Sequence, residues 1–215
     1  MESTLKNMVI VLFAITLIAS TAVGGVYTVT KAPIAAAKAA ATRAALEQVL
    51  PSFDSTQESV VNVDGLDVKV HEAKKGEDFV GYAVESLTKM GYSGEFNVMV
   101  GISPEGEVIN VDILSHKETP GLGSKMTNKG NSLISSIKGQ NLNSFALTLK
   151  KDGGKVDALT AATITSRAYL DAVDRAFRAV KQLEGEFLEK ADASTSATKT
   201  SKAVASSNEN QSKGE

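Results

Sequence analysis

Asp157-Ala158-Leu159-Thr160-Ala161-Ala162-Thr163, continued by Ile164-Thr165-Ser166, is the stretch on which the reading of this chain turns. It places a cap-type residue, two small residues and a second Thr just ahead of a long amphipathic segment. Ile164, Ala168, Val173, Ala176, Phe177 and Val180 recur there near helical spacing, with Arg167, Asp171, Asp174 and Arg178 between them. The pattern predicts a helix beginning near Thr160 or Ala161, with Thr160 as N-cap, accepting a bond from an N–H two or three residues on. A helix start leaves several backbone N–H groups unpaired and carries partial positive charge, so it attracts anions before any side chain is counted. Ala161 and Ala162 leave room for a bulky anionic group, and Thr163 offers a hydroxyl in the first turn. Asp157, itself an anion, is unsuited to hold such a group. Taken alone, the stretch reads as a capped helix with an Ala-rich first turn, which is common in α/β proteins.

A second motif lies upstream. His116-Lys117-Glu118-Thr119-Pro120-Gly121-Leu122-Gly123 follows a predicted strand ending near Ser115. Pro and two Gly residues make a stiff loop that a planar or anionic ligand can approach closely. Alone it is a surface turn. It is not a dinucleotide fingerprint, because Met126 occupies the place of the third Gly.

The intervening chain reads as a mixed domain from about residue 52 to 190. Residues 66–70 alternate apolar and polar, as a half-buried strand does. Further strands are predicted at 79–86, 94–102 and 107–114, with turn chemistry at Ser103-Pro104-Glu105-Gly106. A short helix is expected at 131–137, and a Lys-Lys-Asp-Gly-Gly turn follows Ala146-Leu147-Thr148-Leu149. The fold class is therefore α+β. Residues 191–215 are small and polar without an apolar face and read as a disordered tail.

The N-terminus is of another kind. Residues 7–30 carry no charge and are rich in Val, Ile, Leu, Ala and Phe. As a helix rising ~1.5 Å per residue they reach ~36 Å, enough to cross a ~30 Å hydrocarbon core. A cleaved signal peptide has a shorter apolar region, so residues 1–30 read as a single transmembrane anchor. Residues 31–51, with Pro33 near the start and many Ala, read as a stalk helix. The net charge of -2 provides no basic excess for nucleic acid. The absence of Cys excludes disulfides, thiolate nucleophiles and iron–sulfur ligation, and the two His residues argue against a multi-histidine metal or haem site.

Glu118-Thr119-Pro120-Gly121-Leu122-Gly123 followed by Asp157-x-x-Thr160-Ala161-Ala162-Thr163-x-Thr165-Ser166 resembles the FMN-binding domain found in the G subunit of Rnf-type ion-translocating electron-transport complexes. The C subunit of sodium-translocating NADH:quinone reductase shares this domain, and overall length favours the Rnf-type family. The resemblance implies an electron-transfer subunit with no independent catalytic site. It implies FMN joined covalently by a phosphoester to Thr163, added by a flavin transferase that recognises Asp157. It puts Glu118, Thr119, Leu122 and Gly123 along the flavin, beside Thr160 and Ala162 of the helix start. Thr165 and Ser166 become secondary phosphate contacts, with Thr165 the rival attachment point and Lys125 or Lys129 balancing phosphate charge. Members more often carry Gly where this chain has Ala161.

Partners would be the other membrane subunits of the complex, and the location the inner (cytoplasmic) membrane. The soluble domain would lie on the extracytoplasmic, periplasmic side. Local charge, with Lys6 before the span and Lys31, Lys38 and Arg43 after it, points the other way. An anchored binding or assembly module without a flavin and a stand-alone flavin reductase are the competing readings.

Overall fold

A computed structural model describes the backbone of residues 5–208 and the side chains of residues 5–185. The chain divides into two units, residues 1–44 and 45–215.

The first unit is carried by α1 (Leu5–Val49), which continues unbroken through Pro33. Pro fixes a φ that a helix accepts and removes one N–H donor, and Ala-rich flanks favour continuation. Leu5, Val9, Leu12, Phe13, Ile18 and their neighbours are all exposed. The helix is long and apolar enough to cross a membrane.

The second unit is built on a five-stranded antiparallel meander in chain order: β1 (Ser55–Val63), β2 (Leu66–Lys75), β3 (Asp78–Gly91), β4 (Gly94–Ile102) and β5 (Val108–Ser115). Sequence patterning anticipates β2 through β5 but not β1. That strand, Ser-Thr-Gln-Glu-Ser-Val-Val-Asn-Val, lies at the sheet edge and buries only Val61 and Val63, so its polar start carries no apolar signal. The β4 run Val98-Met99-Val100-Gly101-Ile102 is apolar at successive positions because both sheet faces are covered. Val98, Val100 and Ile102 join Val68, Val70, Val84 and Phe96 in a core with Tyr169, Val173, Ala176 and Val180 of α3 (Thr163–Asn208). Met99 turns the other way, with Ala73 and Ala83, onto Ala45, Leu46, Val49 and Leu50. Each large apolar side chain among these, fully buried, contributes roughly 1.5–3 kcal/mol.

Polar ties fix α3 on the sheet. The Thr88 hydroxyl donates to Asp171 at 2.8 Å, and Arg175 donates to the Leu87 carbonyl at 2.7 Å and to Asp171 at 2.9 Å. The short helix α2 (Ser132–Ile137) is capped by Asn131, whose side chain accepts from Leu133 and Ile134 N–H.

Leu149, just ahead of the Lys-Lys-Asp-Gly-Gly turn, makes an isolated bridge to Val156. The α3 backbone stays helical over residues 191–208, where a disordered tail is expected. That stretch has no Pro or Gly to stop a helix that is already nucleated. Residues 209–215, the rest of that expected tail, lie outside the described residues.

Candidate flavin-binding site

Three segments meet at one end of the sheet: the β3–β4 turn, the loop after β5, and the start of α3. They line a cleft of about 450 Å³ formed by Tyr92, Glu118, Thr119, Leu122, Gly123, Ala161, Ala162, Thr163, Ile164 and Thr165. Such a volume suits a cofactor-sized ligand.

Glu118 holds the segments together. Its carboxylate is buried, at 4% exposure. One oxygen accepts the Ser93 N–H from the hairpin at 3.2 Å, and the other accepts the Thr165 hydroxyl from α3 at 2.7 Å. Charge-assisted bonds of this kind compensate the desolvation of a buried carboxylate. A Cβ at Gly91 would come within 2.6 Å of one carboxylate oxygen, and a Cβ at Gly123 within 2.6 Å of the other. The two glycines thus admit the carboxylate between hairpin and loop. The loop closes on itself through Leu122 and Ser124 N–H bonds to the Thr119 carbonyl, both 3.2 Å.

The start of α3 differs from the expected cap. Ala161 has φ +59°, a left-handed conformation uncommon for a residue with a side chain. This bend prevents helical propagation from Thr160, and the first helical residue is Thr163. Thr160 is exposed and makes no cap bond among the described residues, and it does not line the cleft. Ser166 secures the bend instead: its hydroxyl donates to the Ala162 carbonyl at 2.8 Å and accepts the Leu159 N–H at 3.0 Å. Among the described residues, the N–H groups of Thr163, Ile164 and Thr165 have no hydrogen-bond acceptor. Three unpaired donors beside the cleft are an anion site of the kind helix starts provide.

Most of the residues singled out in the sequence converge here. Glu118, Thr119, Leu122, Gly123, Ala162, Thr163 and Thr165 all line the cleft. Thr163 is partly exposed, whereas Thr165 is buried and its hydroxyl is committed to Glu118. Ser166 is fully buried and faces the bend. Lys125 and Lys129 do not line the cleft; Lys129 borders a separate hollow with Asn110, Asp112 and Asn131.

Besides Ile164, which its spacing placed on the apolar helix face but which is 49% exposed in the cleft, two residues escaped the sequence reading. Tyr92, at the hairpin tip, is 68% exposed and forms part of the cleft wall. A single aromatic in a turn has no periodicity to betray it, although the flanking Gly91 and Gly94 mark a tight hairpin. Lys151 is the second: its ammonium donates to the Thr163 hydroxyl oxygen. It sits in a 3-10 turn (Lys150–Asp152) whose other members are ion-paired, Lys150 with Asp157 at 2.7 Å and Asp152 with Arg167 at 2.7 Å. The Arg167 hydrogen bonds hold the Asp152 carboxyl below the usual carboxylate range, and Asp152 raises the Arg167 guanidinium in turn.

Comparison with known proteins points to the same region of the chain. The sequence model of the family described as "FMN-binding domain" matches residues 91–178, a span holding every residue of the cleft. A Haemophilus influenzae (strain PittEE) protein, named as the G subunit of an ion-translocating oxidoreductase complex, is 38% identical over 162 residues, covering 70% of this chain and 78% of its own. An Aliivibrio fischeri (strain MJ11) protein of the same description is 32% identical over 201 residues, covering 87% and 96%. A third, from Shewanella loihica (strain ATCC BAA-1088 / PV-4), is 42% identical over 106 residues, covering 48% and 50%.

Proposed function

This chain belongs to the family of G subunits of ion-translocating oxidoreductase complexes, and we propose that it is an electron carrier whose FMN is fixed covalently through a phosphoester to Thr163. The chain is membrane-anchored and has an FMN-binding domain. The observation that carries the covalent reading is the partly exposed Thr163 hydroxyl, set in the cleft beside the three unpaired N–H groups of α3.

The residues present fit FMN. A phosphate on Thr163 would meet the N–H groups of the first turn, and the partial positive charge there favours it. Tyr92, Leu122 and Ile164 give the rest of the cleft an apolar wall that suits the isoalloxazine ring. Among the described residues after α1, the large hydrophobics left exposed are Val60, Met90, Tyr92, Leu122 and Ile164. Three of these line the cleft, so the exposed apolar surface is concentrated where a planar ring would bind. The Glu118 clamp keeps hairpin, loop and helix at fixed spacing. FMN supplies the electron transfer when bound, and the protein positions it and tunes its potential. A tether at Thr163 prevents its loss.

The carrier would work as a relay within the complex, receiving electrons from one membrane subunit and passing them to another. The anchor raises its effective concentration near those partners. We assign the soluble domain to the extracytoplasmic side of the inner membrane, where a flavin transferase would mature it. The assignment rests on the family resemblance, since the local charges favour the reverse. The chain is to be co-expressed with a flavin transferase and run on a denaturing gel under ultraviolet light beside Thr163→Ala. Fluorescence in the wild type alone supports the linkage. Fluorescence in both moves the attachment elsewhere, and a dark wild type beside a bright flavinylated control refutes a covalent carrier.

A further inference from the structure

We propose that Lys151 is the positioning residue for flavin attachment, orienting the Thr163 hydroxyl as acceptor and then pairing with the phosphodiester formed there. The inference rests on the reading of Thr163 as the attachment site. An exposed lysine beside a hydroxyl is by itself ordinary. Here the turn that bears it is pinned on both sides of the acceptor. Lys150 reaches Asp157, ahead of Thr163, at 2.7 Å. Asp152 takes a bidentate pair from Arg167, behind Thr163, at 2.7 and 2.9 Å. The backbone closes the same turn, with Gly153 N–H on the Lys150 carbonyl at 3.1 Å and Gly154 N–H on the Leu149 carbonyl at 2.9 Å. Lys151 lies between these two ion pairs and donates to Thr163 Oγ1.

The chemistry needs such a group. The phosphate of free FMN has no activated leaving group, so the donor must be a flavin nucleotide pyrophosphate. The Thr163 Oγ–P bond forms as the P–O bond to a nucleoside monophosphate breaks. The hydroxyl proton passes to a base of the transferase, and nothing is oxidised or reduced. An ammonium only donates, so it occupies one lone pair of Oγ1. The O–H is then free to point to the base and the remaining lone pair to phosphorus. The product diester carries one negative charge, which the same ammonium neutralises.

The test uses the full-length chain in detergent with purified transferase and flavin adenine dinucleotide. Initial rates of covalent incorporation are measured against acceptor concentration for wild type, Lys151→Met, Lys151→Arg and Asp152→Asn. Lys151→Met should lower kcat about ten- to a hundredfold, with KM for the acceptor and the melting temperature little changed. Lys151→Arg should restore most of the rate. Asp152→Asn, which frees the turn without touching Lys151, should give a smaller loss of the same kind. In protein carrying flavin, the ³¹P resonance of the diester should shift between wild type and Lys151→Met. Wild-type kcat in Lys151→Met overturns the proposal. So does a loss that Arg fails to restore and that accompanies a lowered melting temperature. A wild type that accepts no flavin overturns this proposal and the attachment reading together, whereas wild-type labelling with an unaffected Lys151→Met overturns this one alone.

Discussion

Replacing Ala161 by Gly should stabilise the domain, an uncommon outcome for a glycine introduced next to a helix. Ala161 has φ +59°, and its side chain is exposed. Holding an L-residue in the left-handed region costs roughly 1–2 kcal/mol. Glycine relieves that cost but makes the unfolded chain more flexible, which costs about 0.4–1 kcal/mol. No packing is lost, because the methyl group is in solvent. The balance is a gain of about 0.5–1 kcal/mol, or roughly 1–4 °C in melting temperature for a domain of this size. The neighbouring residue should respond with the opposite sign. Ala162 is buried in the main core and has no positive φ, so Ala162→Gly should cost about 1 kcal/mol. Ala161→Val should also destabilise, since a β-branched residue tolerates positive φ poorly. The chain has no Trp, so melting is best followed by the near-ultraviolet circular dichroism of the buried Tyr82 and Tyr169, with calorimetry beside it. If Ala161→Gly melts below wild type, or if both glycine variants shift in the same direction, the left-handed turn ahead of Thr163 is wrong.

Three further outcomes follow from the same geometry. Thr165→Val deprives the buried Glu118 carboxylate of its 2.7 Å donor and should cost about 1.5–3 kcal/mol in guanidinium denaturation, yet peptide mapping should still find the flavin on Thr163; flavin lost from Thr165→Val and retained by Thr163→Ala would transfer the attachment to Thr165. Tyr92→Ala should leave stability within about 0.5 kcal/mol, because the ring is exposed, and should raise flavin emission by removing an adjacent phenol; unchanged emission would mean that the ring is not beside the flavin. Burial holds His71 below its ordinary value of 6.5, and its Nε2 has no hydrogen-bond partner among the described residues. The unfolded chain therefore binds this proton first, so the His71 contribution declines as pH falls below about 6.5. His71→Gln should flatten the denaturation midpoint between pH 7 and pH 5, and an equal pH dependence in both proteins would refute the assignment.

The parts of the chain legible in its sequence are those whose signal is local. The uncharged run of residues 7–30 marks an anchor through length and composition alone. β4 is delimited by Gly94 and by the turn after Ile102, and both match the strand observed. The short helix anticipated at 131–137 is α2, one residue shorter because Asn131 is its cap. The family motif likewise resides in two contiguous stretches and needs no tertiary information to be recognised.

What tertiary structure decided is how distant stretches complete one another. Glu118 reads as a ligand-lining residue, but its carboxylate ties Ser93 to Thr165 across separations of 25 and 47 residues. Thr165 and Ser166 look available in the sequence, whereas folding buries both hydroxyls in bonds to Glu118 and Ala162 and leaves Thr163 partly exposed in the cleft. Thr160 has the composition of a cap and loses that role to the left-handed turn at Ala161. Lys151 is one lysine among many until two ion pairs bring its turn to Thr163. Sequence alone determined the anchor, most of the strands and the family, because hydrophobic periodicity, turn residues and motif spacing act over a few residues. The roles of the hydroxyls and charges at the site depended on the fold, because hydrogen bonds and ion pairs are assigned by proximity in space.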